Sequence, residues 1–507
     1  MIWHIFKKDA LLLWPLVVLA TVAHGLNTMV AGFSTGVGEL YVASILLACV
    51  SLLAIVVLVV SVAHQELLPG AQQDWLIRPI SRLDLLTAKL LFVVLLALGP
   101  ICVCDVAFGL AHQFSIWAAL GASLRRSVAL LCFICVPTLI GAALTRTLTG
   151  FVVTVIAAGL ALVTLLAIAS ALGVAPLLSR SGISWITTCS WAALSGLAAL
   201  TILPVQYLKR RTVQARWWSG GVLVCAVACT MLPWRAGFAI QQRLSSQPGA
   251  GSSVSLQYDP ATPARLMRRA GPPGANGALI LFELSVNGLP RNSILLEDHY
   301  AVRILDAAGK TLYEGSSPAT GAPAPEAGLL LRQGDEESGP VLAEQALAIS
   351  PHDAMHTTGQ LVRVEIDYSL TLFRSVAEDW MADVANDQRL AGFARCTTRL
   401  EKSGEVVAMS CLSTHPWSAC ITEFHVDKDT GQKRWPSSDC YPVDYAPFAG
   451  GLWRDAYFRI GWFGLGQRLS ISGRRPRDGT KAANLLGTYL PRDHFTRHIV
   501  IPRFRLP

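Results

Sequence analysis

The feature that most restricts this chain is a succession of apolar runs crowded into its first 240 residues. A helix needs about 20 apolar residues to cross a bilayer, and seven stretches reach that length: 11–31, 41–63, 86–110, 127–145, 150–172, 185–208 and 217–239. Each is expected to be helical, because lipid offers no partner to an unpaired backbone amide. The start, MIWHIFKKDALLLWPLVVLA, has the basic and apolar layout of a signal peptide. With so many further apolar runs behind it, an uncleaved first span is the expectation.

Composition separates the chain into two halves. Overall it is 52% hydrophobic and 15% charged, against about 25% charged in soluble domains. Residues 1–240 hold 14 Lys/Arg and 6 Asp/Glu of the totals 42 and 34, which leaves 28 of each for residues 241–507. The whole net charge of +8 therefore belongs to the apolar half. A basic excess at the ends of apolar runs orients a membrane protein and is not a nucleic-acid patch.

Counting cations in the connections gives the orientation. With the N-terminus inside, the inner side carries ten: Lys7, Lys8, Arg78, Arg82, Lys89, Arg146, Lys209, Arg210, Arg211 and Arg216. The outer loops carry three, Arg125, Arg126 and Arg180. Seven crossings then put everything after residue 240 outside. The last run has Pro233 and Arg235 near its far end, which leaves it a short apolar core. If it did not cross, the C-terminal region would be cytoplasmic.

Beyond residue 240 the periodicity changes. Residues 241–277 read as a turn-rich tether holding one short strand, VSLQYD. In QLVRVEIDYSLTLF, Val362, Val364, Ile366, Tyr368, Leu370 and Leu372 alternate with polar residues, the pattern of a half-buried strand. ALILFELSVNGLP reads as another, and AVRILDAAGKTLYEG as a hairpin turning at Ala308–Gly309. FRSVAEDWMADVANDQRL has helical spacing (Val376, Trp380, Val384) and is expected to be an inserted helix. The fold class expected is an α-helical polytopic membrane domain of about seven spans (1–240), then the tether (241–277), then a mostly β, sandwich-like domain (278–507).

Four cysteines, Cys396, Cys411, Cys420 and Cys440, are the ones in the second half. On the outer side of a membrane they are expected to form disulfides, in any of three connectivities. A zinc site is the alternative, although the spacings of 15, 9 and 20 contain no CxxC knuckle.

A constellation for catalysis is missing. Gly309-Lys310-Thr311 has the tail of a phosphate-binding loop, but Ile304 stands where its first glycine belongs. His352/His356 and His494/His498 have metal spacing without the Glu of a zinc protease, and read as solvated surface histidines. There is no GxSxG. No enzyme activity, cofactor, metal or nucleic-acid partner is expected. Asp105, inside the third run, is the intramembrane polar candidate, either functional or a helix-to-helix hydrogen bond.

Between the second and third runs lies Asp74-Trp75-Leu76-Ile77-Arg78-Pro79-Ile80-Ser81-Arg82. Arg78 precedes Pro79 and should be extended. Ser81 with Asp84 three residues on reads as a capping box that starts a helix at Arg82 and runs through Lys89. Apolar side chains on so short a cytoplasmic turn imply a protein or headgroup partner. Here, in WLIRPISRLDLLTAK (Trp75 to Lys89), and in FKKDALLLWP (Phe6 to Pro15), the chain resembles the permease subunits of type-2 ABC exporters.

The resemblance covers about residues 1–210 and implies that Asp74 to Lys89 is a coupling helix docking on a separately encoded P-loop ATPase. It also implies a homodimer in an inner membrane, with ATP hydrolysis on the partner. A seventh span and a large external domain depart from the usual six spans with both ends inside. That domain is expected to meet substrate, a periplasmic partner or its twin. The competing reading is a membrane-anchored sensor whose β-domain is the receptor.

Overall fold

The computed structural model describes residues 1–33, 39–65, 81–145, 147–171, 184–230, 232, 234–261, 264–269, 277–316, 329–332, 341–349, 359–380, 385–390, 394–400, 406–413, 419–427, 433–434, 441–443, 467–474 and 482–506. The first part is helical: α1 (Ile2–Phe33), α2 (Glu39–His64), α3 (Arg82–Phe92), α4 (Gly99–Ala111), α5 (Ile116–Leu130), α6 (Val136–Leu144), α7 (Leu148–Ala171), α8 (Ser184–Tyr207), α9 (Thr212–Thr230) and α10 (Trp234–Arg243). Two π-helical stretches, Val93–Leu98 and Leu131–Cys135, join α3 to α4 and α5 to α6. Each is followed, after one intervening residue, by a proline, Pro100 or Pro137. Proline has no amide to donate and its ring crowds the carbonyl four residues back. Widening the preceding turn accommodates both effects, and the two widened turns touch inside the bundle.

Among the described residues, five helices are long and apolar enough to cross a membrane: Ile2–Val30, Leu46–His64, Arg82–Ala111, Ile116–Leu144 and Ile186–Tyr207. A sixth crossing is present if α9 and α10 count as one span bent by 83°. The outward surface agrees with lipid contact, since Leu11, Trp14, Leu53, Val103, Leu200 and Val224 are all exposed. The interior draws on nearly every helix, with Ile55, Val59, Ile101, Leu139, Ile202 and Tyr207 buried together.

The run expected at 127–145 belongs to a helix that begins eleven residues earlier, at Ile116. Ser115 caps it by accepting from the Ala118 amide at 3.3 Å. Arg125 and Arg126 are consequently inside α5 and are not loop cations, which corrects the outer count. The missed signal was local, a serine that starts a helix whose apolar first turns are cut off from the later apolar run by Arg125 and Arg126.

One end of the bundle is tied together by the ends of its helices. The last carbonyls of α6 are taken by three other helices: Ala142 by His64 at 3.0 Å, Ala143 by Gln206 at 2.9 Å and Leu144 by Arg216 at 3.3 Å. These are the acceptors a helix cannot satisfy itself. Arg82 Nη1 donates to the Leu208 carbonyl, 2.6 Å away. The start of α3 and the ends of α2, α6 and α8 thus meet at one face. At the other face, Gln113 in the α4–α5 connection accepts from Arg395 of the C-terminal half at 3.0 Å.

The second half is built of antiparallel sheets. β3 (Gly277–Asn287) pairs with β1 (Ser255–Tyr258) and β2 (Arg265–Arg269) along one edge and with β7 (Val341–Ile349) along the other. A larger sheet runs β13 (Lys433–Arg434), β12 (Ala419–Asp427), β16 (Ala482–Arg505), β8 (Leu361–Trp380), β4 (Ser293–Leu305), β5 (Thr311–Ser316). β14 (Tyr441–Val443) and β6 (Leu329–Arg332) join it at β12 and β4. A third sheet has the order β15 (Gln467–Arg474), β11 (Val406–Ser413), β10 (Ala394–Leu400), β9 (Ala385–Leu390). Ile280, Phe282 and Leu284 of β3 share one core with Val302 and Ile304 of β4, Val364 and Ile366 of β8, and Ile499 and Phe504 of β16. The expected alternation in β8 is present from Val362 to Tyr368; from there to Phe373 both faces are buried, Ser369 and Thr371 included. The hairpin is present too, turning at Gly309, whose φ of +83° suits a residue without Cβ.

The inserted helix expected at 373–390 does not form. β8 continues to Trp380, paired with β16 through Ala377↔Thr488 and Asp379↔Leu486, and β9 follows. Val376 and Trp380 are exposed instead of forming a buried stripe. Ladder pairing with a 24-residue partner strand outweighs a weak local i, i+4 pattern.

Candidate functional site: buried charges in the bundle and the joint above it

Among the described residues, two buried ionic groups link α1 to its neighbours, one to α3 and one to α4 and α5. Near the tied end, Lys89 Nζ of α3 meets Asp9 Oδ2 of α1 at 2.9 Å, with both side chains almost wholly out of solvent. Apolar neighbours seal this contact, with Phe6 of α1 edge-on to Phe92 of α3 at 6.3 Å between ring centres. Further along, Asp105 Oδ1 of α4 accepts from Arg126 Nη1 of α5 at 2.8 Å and contacts His24 Nε2 of α1 at 2.8 Å. His24 and Asp105 are fully buried and Arg126 is 8% exposed. His24 Nδ1 and Asp105 Oδ2 have no hydrogen-bond partner among the described residues.

Fifteen residues separate Asp9 from His24, and sixteen separate Lys89 from Asp105. At about 1.5 Å per helical residue the two groups are roughly 22–24 Å apart along the helices, so within a hydrocarbon core of about 30 Å one lies towards each face. Charge in this setting is costly unless matched. Here the Asp9 carboxylate faces the Lys89 ammonium, with the Lys8 ammonium 4.0 Å from its other oxygen, and the Asp105 carboxylate faces the Arg126 guanidinium with the His24 imidazole alongside. The π-helical turns lie on the same helices, between Lys89 and Asp105 and just past Arg126.

Of the residues singled out in the sequence, the structure places only some. Ser81 caps α3 as expected, its Oγ accepting from the Asp84 amide at 3.0 Å. Arg82 turns to Leu208, and Leu83 is exposed. Asp74, Trp75, Arg78, Pro79 and Ile80 lie outside the described residues, as do His352, His356 and Cys440. Lys89, grouped with the elbow by sequence, points into the bundle. Asp105 is joined by two partners that the sequence reading did not pair with it, His24 and Arg126. Asp9 was missed as well. His24 stands alone among apolar residues, whereas Asp9 adjoins Lys7 and Lys8 and Arg126 adjoins Arg125, so both read as parts of charged loop ends.

The cysteines of the helices are free thiols. Cys396 on β10 stands opposite Cys411 on β11, while Cys420 on β12 stands opposite Pro442 and Tyr489. Among the described residues no group of three or more His, Cys, Asp or Glu is placed to hold a metal ion.

Above the bundle, α10 packs on the large sheet and forms a joint. Trp234 stacks on His299 of β4 with ring centres 5.0 Å apart. Phe238 meets the edge of His494 on β16 at 6.3 Å. The 244–254 stretch is pinned to the same strand: the Gln247 amide donates to the Arg492 carbonyl at 2.8 Å, and the Gly251 amide donates to Asp493 Oδ2 at 2.9 Å. A Cβ on Gly251 would come within 2.2 Å of the Phe495 ring, so that close approach requires glycine.

His494 is therefore buried, against the expectation of a solvated histidine; His498, four residues on, is half exposed. The Thr371 hydroxyl donates to Asp298, so it accepts from His494 Nδ1–H at 2.7 Å. The Gln241 amide lies 3.3 Å from Nε2 and leaves it as an acceptor. This pattern suits neutral imidazole. Burial lowers the His494 pKa to about 4, with the Asp493 charge opposing weakly. Protonation therefore disfavours the fold. Stability should be complete above pH 6.5 and decline towards pH 4, by an amount on the order of 2–3 kcal/mol. His494→Asn is expected to flatten the dependence of melting temperature on pH between 7 and 4.5; an unchanged slope would refute the neutral assignment.

Comparison with known proteins identifies no relative. No family model matches the chain, and no curated protein matches it. Among solved structures, red sea bream transglutaminase aligns at 7% identity and a TM-score of 0.11, over 48% of this chain and 27% of that one. A likeness that slight carries no argument about fold or function.

Proposed function

We propose that the chain is the membrane-spanning permease subunit of an ABC exporter, driven by a separate P-loop ATPase. The observation that carries this reading is the Asp9–Lys89 pair. The two segments that resemble the exporter permeases, Phe6 to Pro15 and Trp75 to Lys89, are 80 residues apart at this pair and are joined by a buried ionic contact. A helix capped at Ser81 and clamped to α1 at Lys89 is a stiff lever. A push on its exposed start turns two helices together.

In this reading the tied end, which also carries Lys209, Arg210 and Arg211, faces the cytoplasm and the ATPase. The α7 and bent α9–α10 segments complete seven crossings. The β-domain, which touches the opposite end at Gln113, lies outside. Two copies enclose the path, and the β-domain offers a surface to a periplasmic partner or to cargo. The joint at Trp234 and His494 is what favours the second reading, a sensor that passes a signal from the β-domain into α10.

The test is biochemical. Arg78→Ala, Ile80→Asp and Arg82→Ala should each lower the ATPase activity of the purified complex by about tenfold and leave the melting temperature within about 2 °C, as surface changes do. If no P-loop ATPase co-purifies with the wild-type chain, the exporter reading fails.

A further inference from the structure

We infer that Cys396 and Cys411 form a cross-strand disulfide within the four-stranded sheet of β9, β10, β11 and β15. The inference rests on the external placement of the β-domain proposed above, and adds the pairing that sequence alone left open. β10 and β11 are antiparallel in an unbroken register from Arg395↔Leu412 to Leu400↔Val407, and that register sets Cys396 directly against Cys411. Opposed Cα atoms in antiparallel ladders are about 4.5 or 5.5 Å apart, depending on whether the pair is hydrogen-bonded. Both values fall within the 4.4–6.8 Å range a disulfide spans. The bridge therefore needs no displacement of either strand.

The competing partner is less suitable. Cys420 lies on β12, in a different sheet, where its ladder neighbours are Pro442 and Tyr489. Joining it to Cys396 or Cys411 would have to connect two sheets that share no ladder. The helix thiols are no competitors, because they belong to the bundle.

Formation is a two-electron oxidation. Each thiol loses a proton, one S–S bond forms, and a protein disulfide donor of the oxidising compartment takes up the electron pair and both protons as its own dithiol. The product closes the β10–β11 hairpin covalently.

The experiment uses the full chain, recovered from membranes and alkylated before unfolding. Trypsin with chymotrypsin cuts at Arg399 and Trp417, which separates the fragments holding Cys396, Cys411 and Cys420. Mass spectrometry without reductant should find the Cys396 fragment linked to the Cys411 fragment, and reduction should release both. In Cys396→Ser, Cys411 should become open to alkylation. Linkage of Cys396 to Cys420 or Cys440 would overturn the pairing and leave the external placement standing. Alkylation of both Cys396 and Cys411 in the wild-type chain would also overturn it. Membrane-impermeant maleimide on spheroplasts then separates the causes: labelling means an external but unpaired domain, and no labelling means that the external placement has failed too.

Discussion

Replacing Lys89 by alanine should cost about 3–5 kcal/mol of stability, because it leaves the Asp9 carboxylate buried opposite an apolar side chain. Asp9→Ala should cost a similar amount by taking the carboxylate away from the buried ammonium. The geometry behind this is a 2.9 Å contact with both groups out of solvent, where the damage from removing one partner exceeds the net worth of the pair. Both variants should lower the detergent melting temperature markedly, read by fluorescence-detected size exclusion. The exchange Asp9→Lys with Lys89→Asp should recover part of the loss, since the charges remain matched at the same site. Single variants that melt within a degree of wild type would show that the pair is not buried in the membrane protein, and would remove the lever from the functional proposal.

The second large effect is expected at Asp105. Its Oδ1 serves both Arg126 and His24, so Asp105→Ala leaves a guanidinium without its carboxylate in the dry part of the bundle. A loss of about 3–5 kcal/mol is again expected. Asp105→Asn, which keeps an acceptor oxygen but no charge, should fall between. The double variant Asp105→Leu with Arg126→Met removes both charges and should return to within about 2 kcal/mol of wild type, because a buried pair is often no more stable than an apolar replacement. That variant separates structure from function. If it folds and leaves the ATP-driven transport proposed above intact, the group is only a pin between α1, α4 and α5. If it folds and transport stops, the group belongs to the path.

The Ser81 cap, the β8 alternation and the turn at Gly309 were legible because each depends on a few adjacent residues. A hydroxyl three residues ahead of a free amide, a period of two, and a glycine at positive φ need no distant partner. The polar partners of Asp105 were not legible, since they come from helices 81 residues before it and 21 residues after it. No local pattern states which helix faces which. The strand at 373–380 was misread for the same reason. Its local spacing favours a helix weakly, and only β16, more than 100 residues away, makes a strand the better use of its backbone.

By itself the sequence determined the division into an apolar, basic half and a charge-balanced β half, because hydropathy and periodicity are sums over neighbouring residues. It also determined where α3 starts, and through the two short motifs it suggested a partner-driven transporter. Tertiary structure alone decided that Asp9 and Lys89 are one ion pair, that Arg126 is an interior charge, that His494 is held neutral beside Thr371, and that Cys396 faces Cys411. Each of these is a pairing between distant segments, and its energy depends on burial and register that exist only after the helices and strands have packed.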